Sequence, residues 1–480
     1  MWDGTSAYMT DRVTREQRRT TVQRRTTQPY PGISGAPGPP SSLTAILVVM
    51  VILLIGSLVL NQASIGSVVL IVVMGIPVLM AGRWLASPTD AAWLPTAIAA
   101  GYLAKLVASG ARYWVLIEVY NGVGDAGGYH TDGLAAADVW RSFSVPEFGN
   151  GTDFIAPLVG FFYVPFKPTL LGGFFIFATL AFIGQLFMLA AFRRISTPFY
   201  TKLYAAGILF LPTIAYWPSS IGKEAVIFLF MGPAVYGAVR LLSEYRLRWT
   251  IPLAIGLLGV GVVREHIAFM LAAALALTLA LAKAPPVSAA VLRRLGLLGV
   301  GAGILALAVM ATSQRFGFDL SAGVSLEMVS EDVDPFLEGL SERTGIGGSA
   351  VEGGVIQSVE DIPEALLRVI YRPLPWEADS AQILASGLEG GFLLALTVLR
   401  LPAILKNLRH LRRKPFALFS LFFTGGFIFA FSAIVNLGVL ARQRSQVLPF
   451  LLALLIEMGF RDRTPLPEAE VVRDPIGVPA

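Results

Sequence analysis

Long apolar runs are the feature of this sequence that most limits what the chain can fold into. A helix of about 17 to 25 apolar residues crosses roughly 30 Å of hydrocarbon at about 1.5 Å per residue. Runs of that length lie near residues 43–60, 65–82, 94–118, 169–192, 200–217, 223–241, 249–264, 266–283, 295–312, 382–401, 415–436 and 443–459. Of the 480 residues, 55% are hydrophobic and 14% are charged, unlike an ordinary soluble domain. We therefore predict an all-α fold, a polytopic transmembrane helix bundle with about twelve spans.

The basic residues predict which way this bundle faces. With the N-terminus placed in the cytoplasm, 25 of the 37 lysines and arginines fall in cytoplasmic segments, as the positive-inside rule requires. The pattern predicts a multi-pass plasma-membrane protein with both termini cytoplasmic, and the excess of arginine over lysine favours a bacterial source. Since orientation explains the net charge of +5, we expect membrane lipids as neighbours and no nucleic-acid partner.

The runs and loops divide the chain into six predicted segments. They are a disordered cytoplasmic tail (1–42), two N-terminal spans (43–93), a transmembrane core (94–312) with an external loop (119–168), a large acidic external loop (313–381), C-terminal spans (382–460) and a cytoplasmic tail (461–480). Within the first loop, the sequence IAPLVGFFYVPF is too short to span a bilayer, and we predict an interfacial or re-entrant helix there.

Cysteine and histidine usage narrows the chemistry. The chain has no cysteine and three histidines, so disulfides, thiol nucleophiles and thiolate metal sites are excluded, and a histidine-rich metal centre is disfavoured. No Ser-His-acid spacing supports a hydrolase triad. We predict no cofactor and no metal ligands, and leave a divalent-metal requirement open.

Charged residues interrupt the apolar pattern in four clusters, all at predicted external helix ends. The first is GDAGGYH, in which Asp125 stands between glycines that let a ligand approach the backbone, followed by Tyr129 and His130. A carboxylate placed in this way can serve as a general base. The alternative is a solvated turn, because Gly-Asp is an ordinary turn pair.

The second cluster is WPSSIGKEA, which carries helix-start residues followed by Lys223 and Glu224. The positive end of a helix with a lysine in its first turn attracts phosphate. The alternative is a snorkelling Lys223 paired to Glu224 near the lipid headgroups.

The third cluster is the triplet Arg264, Glu265 and His266, which separates two apolar runs with almost no loop. Three ionisable residues on a tight helical hairpin are costly beside lipid, so they favour a polar cavity over an interfacial position.

The fourth cluster, NLGVLARQRSQVLPF, places Arg442 and Arg444 on the predicted outer side, against the general charge bias. They require an acidic partner in the protein or a phosphate ligand. Being two residues apart on a helix, they point to different sides, so one can bind while the other packs.

Two further features accompany these clusters. Lys105 and Arg112 are seven residues apart on one face of a predicted helix, where they line the bundle interior or pair with acids. The sequence YRPLPWEA contains Arg372 and Glu377, which could reach the site, although Trp376 is also typical of an interfacial aromatic belt.

In chain order, these motifs resemble the bacterial GT-C-like glycosyltransferase superfamily. The resemblance covers roughly residues 94 to 459 and consists of GDxGxYH, WxSxxxKE, an R-x-H hairpin, RPxPWE and a closing N-x-G-x-x-x-RQR-x-Q-x-x-P. It implies a donor sugar linked to polyprenyl phosphate or pyrophosphate, an extracytoplasmic site, and Asp125 as the base. Lys223, Arg264, Arg442 and Arg444 match only in residue type and side of the membrane.

The resemblance and the charges together predict glycosyl transfer from a polyprenyl-linked sugar to a cell-envelope glycan or lipid acceptor. The long late loop and external arginines are also similar to O-antigen polymerases and ligases, which join whole lipid-linked glycans. Twelve helices with both ends inside are also a common layout of transporters and flippases, but transporters usually place charge near the midplane and show two related halves.

Overall fold

The computed structural model describes residues 41–60, 62–86, 93–283, 356, 358–378, 380–434 and 436–460. These residues are overwhelmingly helical and contain no β-strand. The α-helices are α1 (Ser41–Val59), α2 (Ile65–Leu85), α3 (Leu94–Trp114), α4 (Asp125–Arg141), α5 (Ile155–Tyr163), α6 (Leu170–Ile195), α7 (Pro198–Phe210), α8 (Pro212–Tyr216), α9 (Lys223–Glu244), α10 (Thr250–Val263), α11 (Glu265–Leu281), α12 (Ile362–Leu366), α13 (Ala381–Leu408), α14 (Pro415–Phe431), α15 (Leu437–Arg444) and α16 (Leu448–Gly459). Short π-helical turns extend α3 to Val119 and α12 to Tyr371.

The chain divides into two units, Met1–Thr44 and Ala45–Ala480. The first contributes only the start of α1 to the described residues, so the description below concerns the second.

Several helices are long and apolar enough to cross a membrane, which confirms the all-helical membrane fold. Among the described residues there are 6, namely α1, α2, α3 with its extension, α6, α9 and α13, or up to 7 if the bent pair of α15 and α16 forms one span. The predicted helices α10, α11 and α14 are present and apolar but have at most 17 residues, the lower limit for a span. The predicted run 295–312 lies outside the described residues, as do 1–40, nearly all of the acidic loop up to residue 355, and 461–480.

Two predicted continuous helices are broken, and each break has a proline beside it. The run 200–217 divides into α7 and α8 at Leu211, whose ψ of 127° is extended because the following Pro212 disfavours the helical region. The run 443–459 starts in the last turn of α15 and continues as α16, and the two helices meet at a bend of 63°. Pro449 occupies the first turn of α16.

The loop predicted at 119–168 contains two helices rather than one. The expected interfacial segment forms α5, and the GDAGGYH motif opens the 17-residue helix α4, which the sequence interpretation did not foresee. The two helices pack closely, since a Cβ at Gly133 would lie 2.2 Å from Cγ1 of Val159. Glycine at this position therefore allows the contact.

The centre of the bundle is the pair α6 and α9. A Cβ on Gly184 of α6 would lie 1.9 Å from the carbonyl oxygen of Phe228 on α9, so the two backbones touch at that point. Small residues permit such contacts between membrane helices. The first turn of α9 meets the C-terminal end of α3, the start of α4, the α10–α11 junction and α15, which together form the candidate site.

Candidate functional site

A buried carboxylate held by two arginines lies at the base of the site. Glu224 Oε1 is 2.9 Å from Arg264 Nη2 and 2.8 Å from Arg442 Nε, and Glu224 Oε2 accepts a hydrogen bond of 2.8 Å from Arg442 Nη2. The Glu224 side chain is only 3% exposed. Removing such a carboxylate from water is costly unless it is paired and hydrogen-bonded, and here the Arg442 guanidinium meets both of its oxygens.

Three chain junctions bring these charges together. Glu224 stands in the first turn of α9, where a carboxylate is also favoured by the positive end of the helix. Arg264 is the extended residue between α10 and α11, and its guanidinium also donates to the side-chain oxygen of Gln443. Gln443 and Arg442 are neighbours on α15, so the second and third sequence clusters meet the fourth through one network.

Asp125 joins this network from the opening turn of α4. Its Oδ2 lies 3.7 Å from Arg442 Nη1, and its side chain is 68% exposed. Arg442 therefore bridges a buried carboxylate and an exposed one. Only the exposed carboxylate can meet a molecule that enters from outside the bundle.

Arg112 of α3 is a site residue that the sequence interpretation placed among its minor features. Its Nη1 donates a hydrogen bond of 2.6 Å to the carbonyl of Trp217, and its guanidinium lies 5.5 Å and 5.0 Å from the ring centroids of Tyr216 and Trp217. Lys105, seven residues earlier on the same face of α3, is buried and donates a hydrogen bond to the carbonyl of Ile214. The signal was available, because two cations seven residues apart on a membrane helix require an interior partner.

A cavity of about 280 Å³ opens between these groups, and we call it the charged cavity. It is lined by Arg112, Tyr120, Asp125, Tyr216, Trp217 and Arg442, with apolar side chains between them. Together with Glu224 and Arg264, which extend its ion-pair network, the lining carries three guanidinium groups and two carboxylates, so one positive charge is left over. Lys223, next to Glu224, adds a second.

Two further cavities adjoin the charged cavity at Trp217. The apolar cavity, of about 370 Å³, is lined mainly by Ala108, Val115, Pro212, Ala215, Ala381 and Ala385. The polar cavity, of about 320 Å³, is lined by Tyr120, Ser380, Ser386, Asn436, Gly438 and Arg442 among others. Trp217 lines all three cavities.

Arg444 has a different environment from Arg442. Its side chain is fully buried, and it donates to the backbone carbonyls of Ile370, Tyr371 and Ser386 at 3.0 to 3.3 Å. It also lies 3.9 Å from Glu389 of α13. Arg442 and Arg444 were both predicted as phosphate ligands. Arg442 faces a cavity, whereas Arg444 holds the segment at Ile370 and Tyr371, which precedes α13, against α13 itself.

The other predicted residues of the late loop bind each other. Arg372 Nε donates to Glu377 Oε1 at 2.7 Å, and Glu377 Oε2 accepts from the backbone amide of Leu374. Neither side chain is among the residues that line the three cavities. Their contacts give them a role in closing the loop before α13.

The remaining predicted residues surround the site without lining its charged cavity. Tyr129 is buried beneath it, and burial raises the pKa of its phenol. His130 Nδ1 lies 2.9 Å from the hydroxyl of Tyr163, which joins α4 to α5, and burial lowers the pKa of its imidazole below the usual value.

Glu265 and His266 open α11 beside the network. The His266 ring packs against Phe431 at 5.8 Å, and Glu265 is half-buried in the first turn. Within the described ranges, histidine and acidic side chains do not gather in the groups of three that a metal ion would need. A metal requirement therefore stays an open question of the sequence prediction.

The fold and the site together define a helical membrane protein with a cation-lined cavity at one end of its bundle. No family model, curated protein or solved structure matches the chain. Its function must therefore be inferred from the cavity itself.

Proposed function

We propose that this chain is a membrane glycosyltransferase that moves a sugar from a polyprenyl-phosphate or polyprenyl-pyrophosphate donor to a cell-envelope glycan or lipid. The observation that carries the proposal is the charged cavity, in which two arginines and one exposed carboxylate face the same space. The arginines can bind a phosphate, and the carboxylate can take the proton of an attacking hydroxyl.

The phosphate would lie between Arg112 and Arg442. Both guanidinium groups line the charged cavity, and they approach it from different helices. Glu224 neutralises part of the charge of Arg442 but is itself buried, so it cannot be displaced into the cavity by an incoming anion. Positive charge fixed beside the departing phosphate stabilises the negative charge that develops on it.

The transfer step follows from this placement. The acceptor hydroxyl oxygen forms a bond to the anomeric carbon of the donor sugar, while the bond from that carbon to the phosphate oxygen breaks. Asp125 takes the hydroxyl proton, and the polyprenyl phosphate leaves with the bonding electron pair next to Arg442 and Arg112. The exposure of Asp125 supports this role, since an acceptor can reach it from outside.

The apolar cavity supports a lipid-linked donor over a soluble one. It adjoins the charged cavity through Val115, Tyr216 and Trp217, and its walls are short apolar side chains from α3, α8 and α13. An isoprenoid chain attached to a phosphate near Arg112 would enter this space.

The proposal includes the finer topology. We propose about twelve spans, both termini in the cytoplasm of a bacterium, and the site on the extracytoplasmic face of the plasma membrane, in line with the arginine distribution and the GT-C-like motifs.

Transfer activity in membranes of cells that overproduce the protein tests the proposal. Asp125→Asn should lower the rate of sugar transfer at least about a hundredfold, the usual contribution of a general base. Asp132→Asn is the matched control, because Asp132 is an exposed carboxylate on the same helix.

Three results would contradict the proposed function. Full activity of Asp125→Asn would remove Asp125 as the base. Products longer by a whole repeat unit would favour a polymerase or ligase. Movement of the lipid across the membrane without a new glycosidic bond would favour a flippase.

A further inference from the structure

The three cavities that meet at Trp217 differ in chemistry, and the proposed function uses only two of them. The charged cavity suits a phosphate, and the apolar cavity suits a lipid chain. The polar cavity has no role in the transfer step described above, although Arg442 lines both it and the charged cavity.

The polar cavity combines aromatic and hydroxyl groups. Tyr120 and Trp217 supply the rings. Hydroxyl side chains come from Ser380, which caps the start of α13, and from Ser386 in the second turn of α13. Tyr120 is 53% exposed, so its ring is available to a ligand. The C–H bonds on one face of a sugar ring stack on the electron-rich face of an aromatic ring, and the ring hydroxyls exchange hydrogen bonds with small polar side chains.

We propose that the polar cavity holds the sugar ring of the donor, stacked on Tyr120 and Trp217. This inference rests on the proposed function, because the phosphate beside Arg442 locates the sugar. One bridging oxygen joins the anomeric carbon to the phosphorus atom. The sugar must therefore lie directly beside the phosphate that Arg442 binds.

The neighbouring spaces leave the polar cavity as the place for the sugar. Most walls of the apolar cavity are alanine, valine and proline, so only Thr213, Tyr216, Trp217 and Ser386 offer polar side-chain groups there. The mouth of the charged cavity is bordered by the exposed Asp125, which the acceptor hydroxyl needs. The lipid chain of one donor would thus occupy the apolar cavity, its phosphate the charged cavity and its sugar the polar cavity, with Trp217 at the junction of the three.

Tyr120 would thus recognise the donor sugar. Its role differs from that of Trp217, which contacts Arg112 as well. The Trp217 ring also packs on Arg112, so its loss would disturb phosphate binding as well. Tyr120 is exposed at the end of the extension of α3, so its substitution tests the sugar contact more cleanly.

The experiment measures the affinity of the purified full-length protein for short-chain polyprenyl phosphates in detergent micelles. The probes are the sugar-free phosphate and the same phosphate carrying glucose, mannose or N-acetylglucosamine. The wild type should bind at least one glycosylated probe more tightly than the sugar-free probe. Tyr120→Leu should weaken that glycosylated probe about tenfold, the order expected for a lost aromatic contact. Because Tyr120 also borders the charged cavity, the sugar-free probe should weaken too, but by clearly less than the glycosylated probe.

Two control variants separate the ring from other effects. Tyr120→Phe keeps the ring and should bind like the wild type. Trp84→Leu removes an aromatic side chain that is 89% exposed at the end of α2, outside the three cavities, and should also bind like the wild type.

The possible failures are distinguishable. If the sugar-free probe binds but no sugar improves its affinity, or if Tyr120→Leu weakens both kinds of probe equally, the sugar subsite is wrong and the proposed phosphate site stands. If the wild type binds neither kind of probe, the proposed function itself fails, and the subsite with it.

Discussion

The two ends of α9 carry the same charge motif in different surroundings. At the first turn, Glu224 pairs with Arg264 and Arg442 and is 3% exposed. At the last turn, Glu244 lies within 2.9 to 3.7 Å of Arg194, Arg240 and Arg248, and Arg194 and Arg248 are 58% and 57% exposed.

The difference lies in what each cluster faces. Two of the arginines around Glu244 also lie over the ring of Trp249, at 4.1 Å for Arg240 and 4.6 Å for Arg248. Solvent reaches Arg194 and Arg248, whereas Arg240 is 15% exposed. The arginines around Glu224 are largely shielded, and one of them borders the charged cavity. Ion pairs in water are weak, whereas a buried pair resists loss of one partner strongly. One helix therefore carries a partly solvent-exposed ion-pair cluster at one end and a candidate reaction site at the other.

The largest expected effect is the loss of the buried carboxylate. Glu224→Gln leaves the neighbouring cations Arg264 and Arg442 without their buried carboxylate, which should lower the free energy of unfolding by about 3 to 5 kcal/mol. Thermal unfolding in detergent, followed by circular dichroism, measures it. An unfolding temperature equal to that of the wild type would show that the triad is not buried as described.

A triple variant separates stability from function. Replacing the whole triad by Glu224→Leu, Arg264→Met and Arg442→Leu removes charge and countercharge together, so stability should stay within about 1 to 2 kcal/mol of the wild type. Transfer activity and affinity for polyprenyl phosphate should both be lost. Retained phosphate affinity would show that the cations at this end have only a structural role.

The opposite end should respond weakly. Glu244→Gln removes the partner of solvent-accessible arginines, so it should cost under about 1 kcal/mol. Unfolding temperatures measured at low and at about 1 M salt should converge for this variant and the wild type, because salt screens exposed charges. A loss as large as that of Glu224→Gln would remove the contrast between the two ends.

The sequence predicts the long helices and the residues at the charged site, because apolar runs and the charges that interrupt them are visible in the amino-acid order alone. The apolar runs gave the long helices, and four anomalous charge clusters identified Asp125, Glu224, Arg264 and Arg442, which the fold brings together. The helix that follows Gly124 was not predicted, since a glycine-rich segment is equally typical of a turn.

Other features depend on tertiary contacts that a linear pattern does not contain. Arg442 and Arg444 have the same chemistry in sequence, and only the bend after α15 decides which one faces a cavity. Arg112 was recognised as an interior cation, but its position over Trp217 requires the break at Leu211 that turns α8 toward it. The three cavities arise from residues on α3, α4, α6, α8, α13 and α15, so no local motif indicates them.

The central claim is that the charged cavity binds the phosphate of a lipid, and one affinity measurement tests it directly. Sugar-free polyprenyl phosphate is titrated into the wild type, Arg442→Gln, Arg112→Gln and the control Arg248→Gln, whose arginine belongs to the Glu244 cluster. Loss of a charge-assisted phosphate contact should raise the dissociation constant about tenfold or more in the two cavity variants. The control should match the wild type. Equal affinity in all four proteins, or equal weakening in all three variants, would contradict the account.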